Sequence, residues 1–253
     1  MLNSHISWTD NTVNFWVGCT KVSPGCKYCY MHRIYDSKGV NPNLVRRTSD
    51  ASFYQALSWK QPKMIFTNSM SDFFIEEADQ WRFEAWEIIR RTPQHKWQIL
   101  TKRIERVIDH LPPDWGDGWD NVWLGTSIES QAYINRMDEL ARIPAKIRFI
   151  SYEPLLGPID LSPQIESGAI KGIHWGIIGG ESGYAYGKYR YRPCEISWIE
   201  DLVQQQKDLN IKSFVKQLGS YQAKKLRLRD WKGENLKEWP KELQNIKIQE
   251  FPI

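Results

Sequence analysis

Apolar residues along this chain fall into short runs that stop in polar clusters, and these runs alternate with longer segments of helical spacing. The β-rich runs cover residues 13–17, 64–69, 97–101, 122–126, 147–151, 174–178 and 213–215, each short and rich in β-branched or aromatic side chains. Between them, residues 79–91, 104–110, 130–143 and 195–209 repeat apolar positions at helical intervals, as Trp81, Ala85, Ile88 and Ile89 do. Strands separated by helices predict βαβ units and a mainly parallel sheet. The expected fold class is therefore α/β, a partial (β/α) barrel of about six or seven strands.

The polar stops carry the chemistry. The runs end in Asn68-Ser69-Met70-Ser71-Asp72, Thr101-Lys102-Arg103, Thr126-Ser127-Ile128-Glu129, Ser151-Tyr152-Glu153-Pro154, Gly179-Gly180-Glu181-Ser182 and Lys216-Gln217. In a parallel barrel the carboxyl ends of the strands converge on one face, so the repetition predicts a shared ligand-binding face.

Composition narrows the class. With 253 residues, 41% hydrophobic and 25% charged, the chain is long enough for a sizeable core and ordinary for a globular protein. No apolar stretch approaches the length of a membrane span, and the start lacks a basic segment followed by an apolar one, so a cytoplasmic protein without a membrane partner is expected. The body is read as one domain, 1–219, and the charged, Trp-containing tail, 220–253, as an appendage packed on it. A net charge of +4 is mild. Lys188, Arg190 and Arg192 interleave with Tyr184, Tyr186, Tyr189 and Tyr191, and Lys224, Lys225, Arg227 and Arg229 form a second basic stretch. Such mixtures suit phosphates and bases, and equally suit a solvated surface loop.

Three of the four cysteines stand together, Cys19, Cys26 and Cys29. Clustered cysteines in an intracellular chain favour metal ligation over disulfides, and three thiolates can hold a metal centre while leaving one coordination position open. The segment Gly25-Cys26-Lys27-Tyr28-Cys29 resembles the Cys-x-aromatic-Cys end of the radical S-adenosylmethionine (SAM) enzymes. More broadly, Gly18-Cys19-Thr20, Ser69-Met70-Ser71-Asp72, Leu100-Thr101-Lys102-Arg103, Glu153-Pro154-Leu155-Leu156-Gly157, Gly179-Gly180-Glu181-Ser182-Gly183 and Lys216-Gln217 resemble a phage-associated family of uncertain function that carries a three-cysteine motif. Six residues separate Cys19 from Cys26, more than is usual in radical SAM enzymes, so the loop here is longer.

That resemblance implies a [4Fe-4S] cluster on the three cysteines, with SAM chelating the fourth iron and being reductively cleaved. It implies Tyr28 near the adenine, and Ser69, Ser71 or Asp72 at the SAM ammonium. Lys102 or Arg103 would meet the carboxylate, and Thr126, Ser127, Glu129 or Glu153 the ribose. Helix caps for Ser71 and surface ion pairing for Arg103 are equally open. An electron donor such as flavodoxin or ferredoxin would be a partner. The expected substrate is a nucleic-acid base, with Glu181, Arg190, Arg192 and Lys216 as candidate contacts. Two alternatives stay open: a Cys3His zinc module completed by His32 that binds nucleic acid, and a cluster- or SAM-binding relative without radical chemistry that serves a partner protein. Cys194 stands apart and reads as a buried, unreactive thiol.

Overall fold

The computed structural model describes residues 4–252, and its contacts divide the chain into two compact units. The first comprises Met1–Val22, Met31–Thr126 and Arg142–Ile147; the second comprises Ser23–Tyr30, Ser127–Ala141 and Arg148–Ile253. The chain is α/β, of the partial (β/α) barrel class, with the seven main-sheet strands following one another in chain order as the alternation of runs predicts.

In the first unit, β1 (Asn11–Val13) leads to a short antiparallel ribbon of β2 (Trp16–Val17) and β3 (Arg46–Arg47). Strands β4 (Met64–Thr67), β5 (Lys96–Thr101) and β6 (Val122–Ser127) then add in parallel beside β1. Helices α1 (Tyr30–Ser37), α2 (Asp50–Phe53) and α3 (Asp79–Arg90) fall between them. Phe15, Phe53, Phe73 and Trp97 are fully buried and meet ring to ring, with Phe15 at the centre. Most of the tryptophan content thus serves packing.

In the second unit, β7 (Ile147–Tyr152), β8 (Trp175–Gly179) and β9 (Lys212–Gln217) are parallel neighbours. Around them lie α4 (Arg136–Ala141), α5 (Ser162–Glu166), α6 (Ile196–Asp208) and α7 (Gly219–Lys225). The chain after α7 returns to this sheet: Val215 N donates to Ile248 O at 2.8 Å, Trp175 Nε1 donates to Glu250 O at 2.8 Å, and Phe251 packs against Trp175 and Phe214.

Three sequence expectations change in form. Residues 130–143 form a 3-10 turn, Gln131–Tyr133, and then α4, Arg136–Ala141, instead of one helix. The run 13–17 is two strands, because Phe15 N turns to the Asn68 side chain at 2.8 Å while the Thr48 hydroxyl holds Asn14 O at 2.9 Å. Residues 104–110 form two single 3-10 turns, Ile104–Arg106 and Ile108–His110, instead of a helix. Pro112 and Pro113 follow at once, and a segment this short cannot recover the cost of helix nucleation before they end it. Among the described residues, no helix is long and apolar enough to cross a membrane.

Candidate functional site at the strand ends

In the first unit the chain after β2 turns at Gly18, whose φ of +92° favours glycine and whose missing side chain admits Leu44 O; a Cβ there would lie 2.2 Å from that oxygen. Cys19 follows directly, half-buried. Its sulfur accepts a hydrogen bond from Arg103 Nη1 at 3.8 Å, while Arg103 Nη2 donates to Thr20 O at 3.1 Å and Thr20 Oγ1 at 2.8 Å. Arg103 is itself positioned by Asp72, 3.3 Å away, with both side chains almost fully buried.

Asp72 is the hub of this cluster. Its Oδ1 accepts from the Thr101 hydroxyl at 2.6 Å and from Phe74 N at 2.9 Å, and its Oδ2 accepts from Lys102 N at 2.9 Å. The Ser71 hydroxyl donates to Gly18 O at 2.5 Å, tying the end of β4 to the cysteine turn. Ser69 lies 3.4 Å from the Asn14 amide, whose oxygen also takes Met70 N. Thr126 is buried, its hydroxyl spent on Thr101 O at 2.9 Å. Thus Ser71, Asp72 and Arg103 gather about Cys19, and the half-buried Lys102 stands beside them at the end of β5.

In the second unit, Cys26 ends a 3-10 turn, Pro24–Cys26, and Cys29 N donates to Cys26 O at 3.3 Å. Both thiols are half-buried, with the Ser23 hydroxyl 3.7 Å from the Cys26 sulfur. Two carboxylate–arginine pairs grip this turn. Glu129, fully buried, accepts Gly25 N at 3.2 Å through one oxygen and Arg136 Nη1 at 3.0 Å through the other. Arg136 also donates to Ser127 O at 2.8 Å. The second pair is Glu181 with Arg192, joined through the backbone N at 2.9 Å, Nε at 2.8 Å and Nη2 at 2.5 Å, while Arg192 Nη1 donates to Pro24 O at 2.9 Å.

Tyr28 sits within this grip. The Arg192 guanidinium lies 5.1 Å from its ring centre, and Arg190 Nε donates to its hydroxyl at 3.3 Å. That hydrogen bond from Arg190 holds the phenol below its ordinary pKa. Lys216 and Glu153, at the ends of β9 and β7, pair at 2.7 and 2.9 Å. The glycines of Gly179-Gly180 serve the protein's own packing: a Cβ on Gly180 would lie 2.3 Å from Leu218 O. Cys194 is buried, and that burial pushes its thiol up to about 12. His32 is buried on α1.

The sequence singled out Glu129, Glu153, Glu181 and Asp72 as groups for a cofactor or substrate, and each is already paired with a cation of the protein. Buried carboxylates without such partners would be costly. Sequence reading missed Arg136 and Asn14, which fix Glu129 and Ser69; no local spacing announces them. All four cysteines are thiols, none in a disulfide, and among the described residues no three His, Cys, Asp or Glu side chains already stand as a metal-holding group.

No curated protein and no solved structure matches the chain. With a family model covering residues 3–252, the chain belongs to DUF5131, a family described as proteins of unknown function.

Proposed function

We propose that Cys19, Cys26 and Cys29 ligate a [4Fe-4S] cluster, and that the protein is a radical SAM-like enzyme that reductively cleaves S-adenosylmethionine to modify a substrate. The observation that carries this reading is the setting of the thiols. The three cysteines are half-buried, Arg103 donates to the Cys19 sulfur, and the Ser23 hydroxyl lies 3.7 Å from the Cys26 sulfur. Soft thiolates are the donor set of iron–sulfur clusters, and hydrogen bonds to their sulfurs tune such clusters. Three of them leave one iron without a protein ligand, so the set fits a cluster that receives SAM at the fourth position. When bound, the cluster would supply the electron that breaks the sulfonium C–S bond. Closing the loop 19–29 on the metal is then part of binding, since ligand gathering and metal affinity are coupled.

The other residues support the reading by what they hold. Lys102 stands at the end of β5 next to Asp72 and can meet a carboxylate. Tyr28 offers its ring on the cysteine turn, where the resemblance puts the adenine contact. Glu129, through Gly25 N, and Glu181, through Arg192, hold that turn in place. An electron donor such as flavodoxin or ferredoxin and the phage association remain parts of this proposal, carried by the sequence resemblance alone.

Anaerobic purification and reconstitution test it. The expected product is brown protein holding about four irons and matching sulfide per chain, lost when the three cysteines are replaced by serine, and forming 5′-deoxyadenosine from SAM under reduction. A colourless protein with one zinc per chain would refute it in favour of the Cys3His site with His32. A bound cluster that never yields 5′-deoxyadenosine would leave a binding relative, not an enzyme.

A further inference from the structure

The loop of residues 184–191 is built unlike the rest of the second unit. It is closed by two backbone hydrogen bonds, Tyr184 N to Tyr189 O at 3.1 Å and Tyr191 N to Tyr184 O at 3.0 Å, and turns through Gly187 at a φ of +86°. The closure buries Tyr189 yet leaves Tyr184 60% and Tyr186 82% exposed. Tyr186 is more exposed than any other large hydrophobic side chain among the described residues. Two large rings two residues apart are thus presented to solvent instead of being buried.

The sequence around those rings is basic, although in space Glu181 pairs with Arg192 and Glu195 lies 3.9 Å from Lys225. Residues 184–193 hold Lys188, Arg190 and Arg192, residues 219–229 hold Lys224, Lys225, Arg227 and Arg229, and neither stretch contains Asp or Glu. The two stretches meet in space: the Lys224 ammonium at the end of α7 lies 5.7 Å from the Tyr186 ring centre. Residues 184–192 contain no Leu, Ile, Phe or Trp, which argues against insertion into a membrane.

We propose that the loop 184–191, with Lys224 at the end of α7, is a binding surface for a single-stranded polynucleotide, its phosphates held by Lys188 and Lys224 and its unpaired bases stacked on Tyr184 and Tyr186. Exposed rings set among cations are the means by which proteins grip single strands, because an unpaired base offers its face to a ring while its phosphate meets a cation. A duplex hides those faces. The surface deepens the function proposed above and rests on it for its purpose: Arg190 ties the loop to Tyr28 on the segment that carries Cys26 and Cys29, so a strand held here is presented beside the cysteine turn.

Fluorescence anisotropy on the full chain, with labelled oligo-dT, oligo-rU, a matched duplex and polyglutamate as probes, tests this at several salt concentrations. The expected result is single-strand binding with a steep salt dependence. Each of Tyr184→Ala and Tyr186→Ala should weaken it roughly tenfold, as loss of a base–ring stack does. Tyr186→Phe should hold it, and Lys188→Gln with Lys224→Gln should flatten the salt slope by about 0.7 per lost phosphate contact. Phe83→Ala, an exposed ring on α3, is the neutral control. No binding at low salt, equal binding to the duplex or to polyglutamate, or indifference to both tyrosine replacements would overturn the inference; a preference between the DNA and RNA strands names the polymer. Iron content of the same preparations keeps the two proposals separate. Iron-loaded protein that ignores single strands sinks this surface alone, and strand binding by protein that takes up no iron sinks the cluster alone.

Discussion

Replacing Glu129 by alanine is the sharpest perturbation of the cysteine turn that leaves every cysteine in place. The carboxylate has no exposure and two partners, Gly25 N and the Arg136 guanidinium. Removing it leaves a buried guanidinium short of its counter-charge, which typically costs about 3–5 kcal/mol. Arg136 keeps Ser127 O at 2.8 Å and the Tyr133 ring at 4.3 Å, so the lower end of that range applies. The orphaned Gly25 N adds roughly 1 kcal/mol. A total near 4 kcal/mol corresponds to a melting temperature lower by roughly 8–16 °C for a chain of this size. The double replacement Glu129→Leu with Arg136→Met should recover most of that loss, because exchanging a buried ion pair for apolar groups of similar volume is often neutral. It should not recover the hold on Gly25. The double variant is therefore expected to melt near the parent while its Cys26 and Cys29 thiols alkylate faster. Thermal unfolding with timed alkylation reads both quantities. A Glu129→Ala protein within about 0.5 kcal/mol of the parent, the range of ordinary surface changes, or a double variant no more stable than the single, would refute the assignment of Glu129 as the clamp.

Gly25→Ala attacks the same clamp from the other side: its Cβ would stand 2.8 Å from Glu129 Oε1, so the variant should lose about 1–3 kcal/mol and expose Cys26 and Cys29 to alkylation as Glu129→Ala does. Thiol counting at pH 8 should modify Cys19, Cys26 and Cys29 in the folded metal-free chain and reach Cys194 only on unfolding, since burial pushes that thiol up to about 12; modification of Cys194 at the rate of the others would contradict its placement. His95 and His174 both have pKa values depressed by burial below the ordinary 6.5. The unfolded chain therefore binds more protons than the folded one as pH falls through 6.5, and stability should decline from there toward the folded-state pKa values and then level off. Urea unfolding at pH 7.5 and pH 5 of the parent and of His95→Gln should show a smaller pH difference in the variant, and an equal difference would remove His95 from the cause.

The strands were legible because each is a short apolar run cut off by polar residues, and burial on both faces of a parallel sheet leaves that mark locally. Residues 13–17 and 104–110 were misread where the deciding partner lies elsewhere, Asn68 and Thr48 for the first, or just downstream, the two prolines for the second. The candidate site divides along the same line. The residues at which strands stop, Asp72, Lys102, Glu129, Glu153, Glu181 and Lys216, stand out in sequence as chemistry-bearing. What each one faces does not, because parallel βα units bring together groups that no spacing rule connects: Glu129 meets Gly25 across 104 positions, and Arg192 meets Pro24 across 168. A carboxylate at a strand end reads the same whether it awaits a ligand or grips a loop, and only its partner separates the two roles. Here Glu129 takes Gly25 N directly, while Arg192 and Arg103, the partners of Glu181 and Asp72, hold Pro24 O and Thr20 O, so each of these three carboxylates acts on the backbone beside a cysteine of its own unit. Loss of such a clamp should therefore show first in thiol accessibility and metal retention, and only through them in any reaction the thiols support.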